Sequence, residues 1–595
     1  MKHQKLLKVL LVVFLLSSLV LAPLNEFNRA DAQDDSGQPA HYIVMKGQPD
    51  GEYEIVHYQE VRLRSKLIPL DDALIRHSLA TSPRHKDLMV AALQTADGRT
   101  AYQGIVDTSP WLRSEVVSQT DPMKIDAKIF RSEEVVFVVR VPKIEGTRLV
   151  LKKDLDTQIQ TFDLDQVVKT APRIETNLDS KLVVTGTYGD PSNRVDLLVM
   201  GDGYKAAEES AFNEQLANLR NGFYGVSPLS EYQNYFNTVG LFTVSEESGA
   251  DHPPYMPPEE CPGYDNSTCC VDPAMQKDPL NGKMRNTAFN GRYCGWRTHR
   301  VVVVDNEILL AEAGERYPDW DSIIVMVNDS TYGGAAFQGI AAICNCSQAP
   351  KIALHEFGHS FADLADEYTN AYPGYPGCSD LGGNPCEANV TDVTNRANIK
   401  WLPWILPDTP IPTPETNAYY YTVGLFEGAR YFPSGMFRSG HTCLMQSLGS
   451  GVTFCSVPTQ AMVLKFYQGW HSEKPGISML EPGTQSPVGR VELTHPDSVE
   501  LKSDILSPQG GPQPLIEWYV DGVKVSDAHA GSFIYETEYD KPGSHLIKLR
   551  VKDVTPLVKD LMSGGSTVFE HRWVVNVTVN PVEEEFFQYF PAVQK

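Results

Sequence analysis

The chain has 595 residues, 42% of them hydrophobic, and a net charge of −24. That length exceeds what one hydrophobic core organises and predicts three or four domains, while the apolar content is ordinary for a folded soluble protein. An acidic excess of this size argues against a nucleic-acid or anionic-membrane partner, whose phosphates it would repel.

The N-terminus carries Lys2, Lys5 and Lys8, runs through an apolar core from Leu10 to Leu21, and reaches Ala30-Asp31-Ala32. This reads as a secretory signal peptide over residues 1–32, cut after Ala32, with an uncleaved anchor as the other reading. No later stretch approaches the ~20 apolar residues needed to span a bilayer. The expectation is a secreted or extracytoplasmic protein (periplasm or cell surface) with no stable membrane insertion after cleavage.

Residues 33–175 read as an all-β accessory domain. Short alternating runs at His41–Val44, Tyr53–His57, Val61–Leu63, Glu134–Val141 and Arg148–Lys152 are separated by turns such as Asp97-Gly98. No cysteine and no catalytic cluster falls in this region. Near residue 180 the composition changes. Val195–Met200 is a buried strand closed by Gly201-Asp202-Gly203, and an amphipathic helix runs from about Ala206 to Gly222. Tyr235–Val244 and Ser322–Val327 are further strands, and Gly333–Ile343 is an edge strand able to pair with an extended peptide. The Gly201-Asp202-Gly203 turn lacks the spacing and the lysine of a phosphate loop. The segment 250–300, rich in Pro, Cys and Tyr, reads as a disulfide-pinned insertion. Asn266-Ser-Thr268 and Asn328-Asp-Ser330 match glycosylation acceptors. All ten cysteines lie between Cys261 and Cys455. An even, clustered set in an exported chain predicts up to five disulfides in one domain, ahead of a zinc site at Cys344-x-Cys346.

The chemistry centres on Lys351–Tyr368, which contains His355-Glu356-Phe-Gly-His359. Residues four apart share a helix face, so His355 and His359 can aim ring nitrogens at one metal, and two imidazoles suit Zn²⁺. Glu356 lies beside the first ligand, placed to take a proton from an attacking water without binding the metal itself. A core helix with two hydrogen-bonded histidines is the bland alternative.

The third ligand is less direct. In a continuous helix Asp366 would lie about 10 Å beyond His359 along the axis, at 1.5 Å per residue. It can serve only if the helix ends between about 362 and 365 and the chain turns back. Glu367, Asp363 and His441 are the alternatives, and Asp366 and Glu367 also read as helix-end carboxylates. Strand, helix, strands, edge strand and metal helix is the order of a zincin N-terminal subdomain.

After this helix, 370–440 is loop-rich, with Tyr419, Tyr420, Tyr421 and Tyr431 as candidates to steady an oxyanion. Met445 fits the methionine turn beneath the zinc histidines of metzincins, or is a core methionine beside a disulfide. Val457–Phe466 closes a catalytic domain spanning 176–475. Beyond a Pro/Gly/Ser-bearing linker, alternating runs with Asp521-Gly522 as a hairpin signal read as an Ig-like β-sandwich over 488–582, a spacer or stabiliser.

Three stretches carry a family resemblance: Asn193–Tyr204, Ser245-Glu-Glu-Ser-Gly249, and the helix ending in Leu364-Ala-Asp-Glu-Tyr368. On these the chain resembles the bacterial IgA-peptidase-type zinc metallopeptidases over roughly 180–470. The resemblance implies zinc endopeptidase activity, with His355 and His359 as ligands, Glu356 as base and an acidic residue of Asp366-Glu367 completing the site. It does not make immunoglobulin A the substrate, and the ten-cysteine cluster is outside the family pattern. The expected architecture is a multidomain α/β (α+β) zincin-like metallopeptidase domain flanked by the two β-domains. It would bind one catalytic Zn²⁺ and act on a protein or peptide substrate. Two rivals remain: a metal-dependent hydrolase of a non-peptide substrate, and a non-catalytic surface-binding protein with a degenerate zincin domain.

Overall fold

The computed structural model describes residues 37–48, 51–82, 87–114, 128–261, 268–337, 339–372, 374–469, 476–538, 540–559 and 565–579. The predicted signal peptide, residues 1–32, and Asn266 of the first glycosylation acceptor lie outside the described residues. Among the described residues, six sheets and a small number of helices make a mixed, multi-sheet α+β architecture.

The N-terminal part contributes nine strands: β1 (Gln38–Gly47), β2 (Tyr53–Leu63), β3 (Leu88–Thr95), β4 (Thr100–Asp107), β5 (Trp111–Ser114), β6 (Lys128–Arg131), β7 (Val135–Pro142), β8 (Thr147–Lys152) and β9 (Gln158–Asp163). Seven of them form two antiparallel sheets, ordered β2-β1-β7 and β4-β3-β8-β9. Ile43, Met45 and Val139 of the first face Met89, Leu149 and Leu151 of the second in one core. The opposite face of β1, with Tyr42 and Val44, packs into a different core together with Leu309, Leu310 and Ala313 of a helix at Asn306–Arg316. Strand β1 is therefore buried on both faces, so the alternation expected over His41–Val44 does not mark a solvent-facing side. Two short helices, Asp72–Thr81 and Leu164–Thr170, accompany the strands. The sequence reading missed both, since neither carries a long apolar stripe.

The central sheet adds β10 (Ser180–Gly186), β11 (Val195–Asp202), β12 (Phe236–Thr243), β13 (Ser322–Val327), β14 (Gly334–Phe337) and β15 (Ile340–Cys344). Its order is β10-β12-β11-β13-β15-β14-β5-β6, and β12, β11, β13 and β15 run parallel. Parallel strands covered on both faces read as continuous apolar runs. On β11, Leu197 and Val199 enter one core while Leu198 and Met200 enter the other. Helices Glu209–Phe223 and Ala349–Ala362 cover the first face, with Phe223 against Phe357 at 5.2 Å between ring centroids.

The expected single edge strand over Gly333–Ile343 is in fact two. Strand β15 is internal, and β14 folds back antiparallel to it. The outer side of β14 is itself paired, Ala336 opposite Arg113 of β5. The hairpin β5–β6 from the N-terminal part thus occupies the position expected for an extended peptide. A single sequence gives no sign of this, because strand pairing across more than 200 residues leaves no local pattern.

Past the central sheet lie β16 (Val390–Thr391), β17 (Phe426–Ala429) and β18 (Phe432–Arg438), joined in one small sheet, and then a helix at Ser456–Gln468. The C-terminal strands are β19 (Val491–His495), β20 (Ser498–Lys502), β21 (Leu515–Val520), β22 (Val523–Lys524), β23 (Ser532–Glu536), β24 (Gly543–Lys552) and β25 (Val568–Val579). They form a five-stranded sheet, β19-β25-β24-β21-β22, and a two-stranded sheet, β20-β23. Trp518 of β21 lies 5.3 Å from Phe533 of β23 and 5.4 Å from Trp573 of β25, so aromatic rings fill the space between the sheets. Asp521 and Gly522 both take positive φ, 50° and 83°, in the hairpin β21–β22. This region docks on the central one through buried hydroxyls: Tyr232 and Tyr467 both donate to Asp553, at 2.5 and 2.6 Å.

Four disulfides join Cys261–Cys269, Cys270–Cys294, Cys344–Cys346 and Cys378–Cys386. Cys443 and Cys455 are free thiols side by side, with the Cys455 amide 3.2 Å from the Cys443 sulfur. Among the described residues no helix is long and apolar enough to cross a membrane.

Candidate metal centre

The helix Ala349–Ala362 buries Phe357 and Phe361 against its neighbours on one face and carries His355 and His359 on the opposite one. It stops at Ala362. Asp363 adopts the left-handed conformation, φ 52° and ψ 34°, and the amides of Asp363 and Leu364 both donate to the Gly358 carbonyl. Glycine is the usual residue at such a stop, and here an aspartate takes the position, its carboxylate 2.9 Å from Lys465 Nζ. The reversed chain brings Asp366 back beneath the histidines.

Each imidazole is oriented by a backbone carbonyl. His355 Nδ1 lies 2.9 Å from Leu444 O, and His359 Nδ1 lies 2.7 Å from Leu364 O. A carbonyl only accepts, so both Nδ1 atoms carry the proton and both neutral rings present an Nε2 lone pair. These lone pairs face each other at 2.9 Å and face Asp366 Oδ1 at 3.2 and 3.1 Å. Three acceptors converge with no proton left between them, and all three residues are buried. That arrangement repels itself unless a positive charge, a metal ion or an added proton, sits at its centre. Neighbouring ligands of a tetrahedral ion with ~2.0–2.1 Å bonds stand about 3.3 Å apart, so the residues fit a zinc-sized ion.

The remaining predicted candidates lie elsewhere. Asp363 is the helix stop described above. Glu367 points away, accepting from Asn389 Nδ2 at 3.0 Å, and burial pushes its carboxyl up to about 7. His441 packs against Tyr420 and Phe426 and is not among the converging atoms. Glu356 is fully buried on the helix turn that carries His355. Met445 lies beneath the helix: a Cβ added at Gly358 would stand 2.9 Å from its sulfur. The Met445 carbonyl accepts from the Glu367 amide at 2.8 Å, so the segment Leu444-Met445 both orients His355 and ties down the returning chain.

Of the tyrosines, Tyr421 is 96% exposed. Tyr431 is buried and donates its hydroxyl to Asp366 Oδ2 at 2.6 Å, a bond that orients a carboxylate rather than an oxyanion. Three groups were missed in the sequence: the carbonyls of Leu444 and Leu364, and Asn389, which holds both the amide and the carbonyl of Ala365 at 2.9 and 2.8 Å. Backbone acceptors carry no residue signature, and Asn389 sits in no motif.

The other motif stretches are structural. Asp202 accepts from the amides of Phe289 and Gly291 and from the Thr287 hydroxyl, pinning the insertion to the end of β11. Gly203, at φ 74°, lies so close to the Gly249 carbonyl that no side chain fits.

A family model described as IgA Peptidase M64 matches residues 184–261 and 269–422. That stretch is of the IgA-peptidase metallopeptidase family. The match includes the histidine helix and Asp366 and ends before Tyr431 and Leu444. A metallopeptidase family implies a metal and a protein substrate. No curated protein matches the chain. A solved structure of an FMN-binding beta-glucuronidase from Facaelibacterium prausnitzii L2-6 is 9% identical over 93% of this chain and 90% of that one, with a TM-score of 0.11. At that score the likeness carries no argument.

Proposed function

We propose that the chain is a secreted zinc metalloendopeptidase in which His355, His359 and Asp366 hold one Zn²⁺ and Glu356 is the general base. The observation that supports this most is the convergence of two Nε2 lone pairs on Asp366 Oδ1, with both Nδ1 protons already committed to carbonyls. Zinc bound there supplies the Lewis acidity that activates water near neutral pH.

The protein's part in the reaction is proton handling and positioning. The Glu356 carboxylate takes a proton from the attacking water and returns it to the nitrogen of the leaving amine. Leu444 O and Leu364 O keep the two imidazoles in one tautomer, and Tyr431 fixes Asp366. The proposed organisation is a signal peptide at 1–32, an accessory β-domain at 33–175, the catalytic domain at 176–475 and an Ig-like sandwich at 488–582. The disulfides agree with export to an oxidising compartment.

The test is Glu356→Gln. The variant should retain zinc at the wild-type level and lose casein cleavage by at least ~100-fold, the scale of general-base catalysis. Full activity in that variant would remove Glu356 from the role. Cleavage of small esters but not of unfolded protein would replace the peptidase reading with the non-peptide hydrolase.

A further inference from the structure

A second set of converging ligands lies in the insertion between β12 and the helix Asn306–Arg316. Its described residues have little regular structure, and it carries the disulfides Cys261–Cys269 and Cys270–Cys294. At its centre His252, Asp278 and His299 are all buried and bring one ligand atom each within 4.8 Å of the others. His252 Nδ1 lies 2.9 Å and His299 Nε2 lies 2.5 Å from the same oxygen, Asp278 Oδ2. Two imidazole nitrogens sharing one carboxylate oxygen is the pattern seen at His355, His359 and Asp366.

The partners of this cluster orient it. The far nitrogen of His252, Nε2, lies 3.1 Å from Asp329 Oδ2. A carboxylate accepts, so a neutral His252 carries its proton on Nε2 and turns the Nδ1 lone pair inward. The other oxygen of Asp278 is used by the Leu280 amide at 2.8 Å, and the other oxygen of Asp329 by the Thr331 amide at 2.8 Å. Tyr293 stacks on His252 at 4.4 Å and 25°. His299 is held through its own amide, which donates to Asp272 at 2.9 Å, and its carbonyl accepts from Cys294 of the second disulfide.

We propose that His252, Asp278 and His299 form a second, structural site for a divalent transition-metal ion of the zinc type, with Asp329 positioning His252. Charge supports this choice. Two buried carboxylates and two neutral imidazoles carry −2, which a divalent ion cancels. The donor set of two nitrogens and one oxygen suits zinc and leaves one tetrahedral position for water. Calcium or magnesium would demand six or more oxygens. A segment too irregular to build its own core gains a third staple beside its two disulfides. The rival arrangement has the same net charge: both histidines protonated between the two aspartates, with no metal.

The experiment counts zinc. The full chain is equilibrated with zinc sulfate, desalted, and measured by mass spectrometry of the metal alongside His359→Ala and His359→Ala/Asp278→Asn. The expected contents are two, one and zero per chain. A His359→Ala protein holding no zinc overturns the second site, whatever its peptidase activity. Retention of that zinc after Asp278→Asn overturns the ligand assignment.

Should Asp278→Asn fail to fold, Asp329→Asn in the His359→Ala background serves, because it alters a positioning residue rather than a ligand. Its zinc affinity should fall 10–100-fold in chelator competition, with cobalt substitution giving tetrahedral visible bands in the parent. An unchanged affinity, or the absence of those bands, counts against the site.

Discussion

Replacing Tyr431 by phenylalanine separates two roles for a buried hydroxyl beside the candidate metal centre. The hydroxyl donates to Asp366 Oδ2 at 2.6 Å, while Oδ1 of the same carboxylate faces both histidines. A buried hydrogen bond to a charged group is worth ~1.5–3 kcal/mol. Loss of a partner that orients a ligand costs ~10–100-fold in metal affinity, which is about 1.4–2.7 kcal/mol, so the two estimates agree. Tyr431→Phe keeps the ring against Tyr375, 5.1 Å away, so packing is conserved. The assay is competition for zinc against a chelator, followed by kcat on a peptide substrate with zinc in excess. The expected result is an affinity loss of ~10–100-fold, with kcat changed much less once the site is filled. If Tyr431 acted on the oxyanion instead, kcat would fall by ~10²–10³. Unchanged zinc affinity would refute the orienting role.

Gly358→Ala should lower stability by up to ~2 kcal/mol: the gain of ~1 kcal/mol in helix propensity is set against overpacking of ~1–3 kcal/mol, because the new Cβ would stand 2.9 Å from Met445 Sδ. Adding Met445→Ala should give a coupling above ~0.5 kcal/mol in a denaturant double-mutant cycle. Asp363 sits in the left-handed region at φ 52°, a conformation that costs a side-chain-bearing residue ~1–2 kcal/mol. Asp363→Gly should therefore leave zinc content intact and stability equal or higher, whereas Asp363→Val should lose both. Lys524 above all, then Arg550, holds the Glu517 carboxyl at about 2. A lowered pKa stabilises the fold above the unfolded value and is lost as pH falls, so wild type should lose thermal stability between about pH 4.5 and 2 more steeply than Glu517→Gln.

The histidine pair, its glutamate and the parallel strands were legible because each is a local pattern. Spacing of four on a helix and runs of apolar β-branched residues survive in one dimension. The segment Ser322–Val327 was readable as a strand for that reason. The helix Asn306–Arg316 was not, since its apolar run Ile308–Ala311 is only one turn long and is bounded by Glu307 and Glu312. The third candidate ligand was open in the sequence because its position depends on a turn. Nothing in Ala362-Asp363 announces a left-handed stop at a residue other than glycine.

What the sequence determined by itself was a chemistry: two imidazoles and a carboxylate at helical spacing in a cysteine-bearing chain. The tertiary structure decided which acid lies beside them, by reversing the chain at Asp363 and holding it through Asn389 and the Met445 carbonyl. It also decided that Tyr431 serves Asp366, and that the hairpin β5–β6 pairs with β14. The physical reason is common to all of these. Each depends on a backbone carbonyl, amide or strand edge brought from far along the chain, and every residue type offers those groups alike.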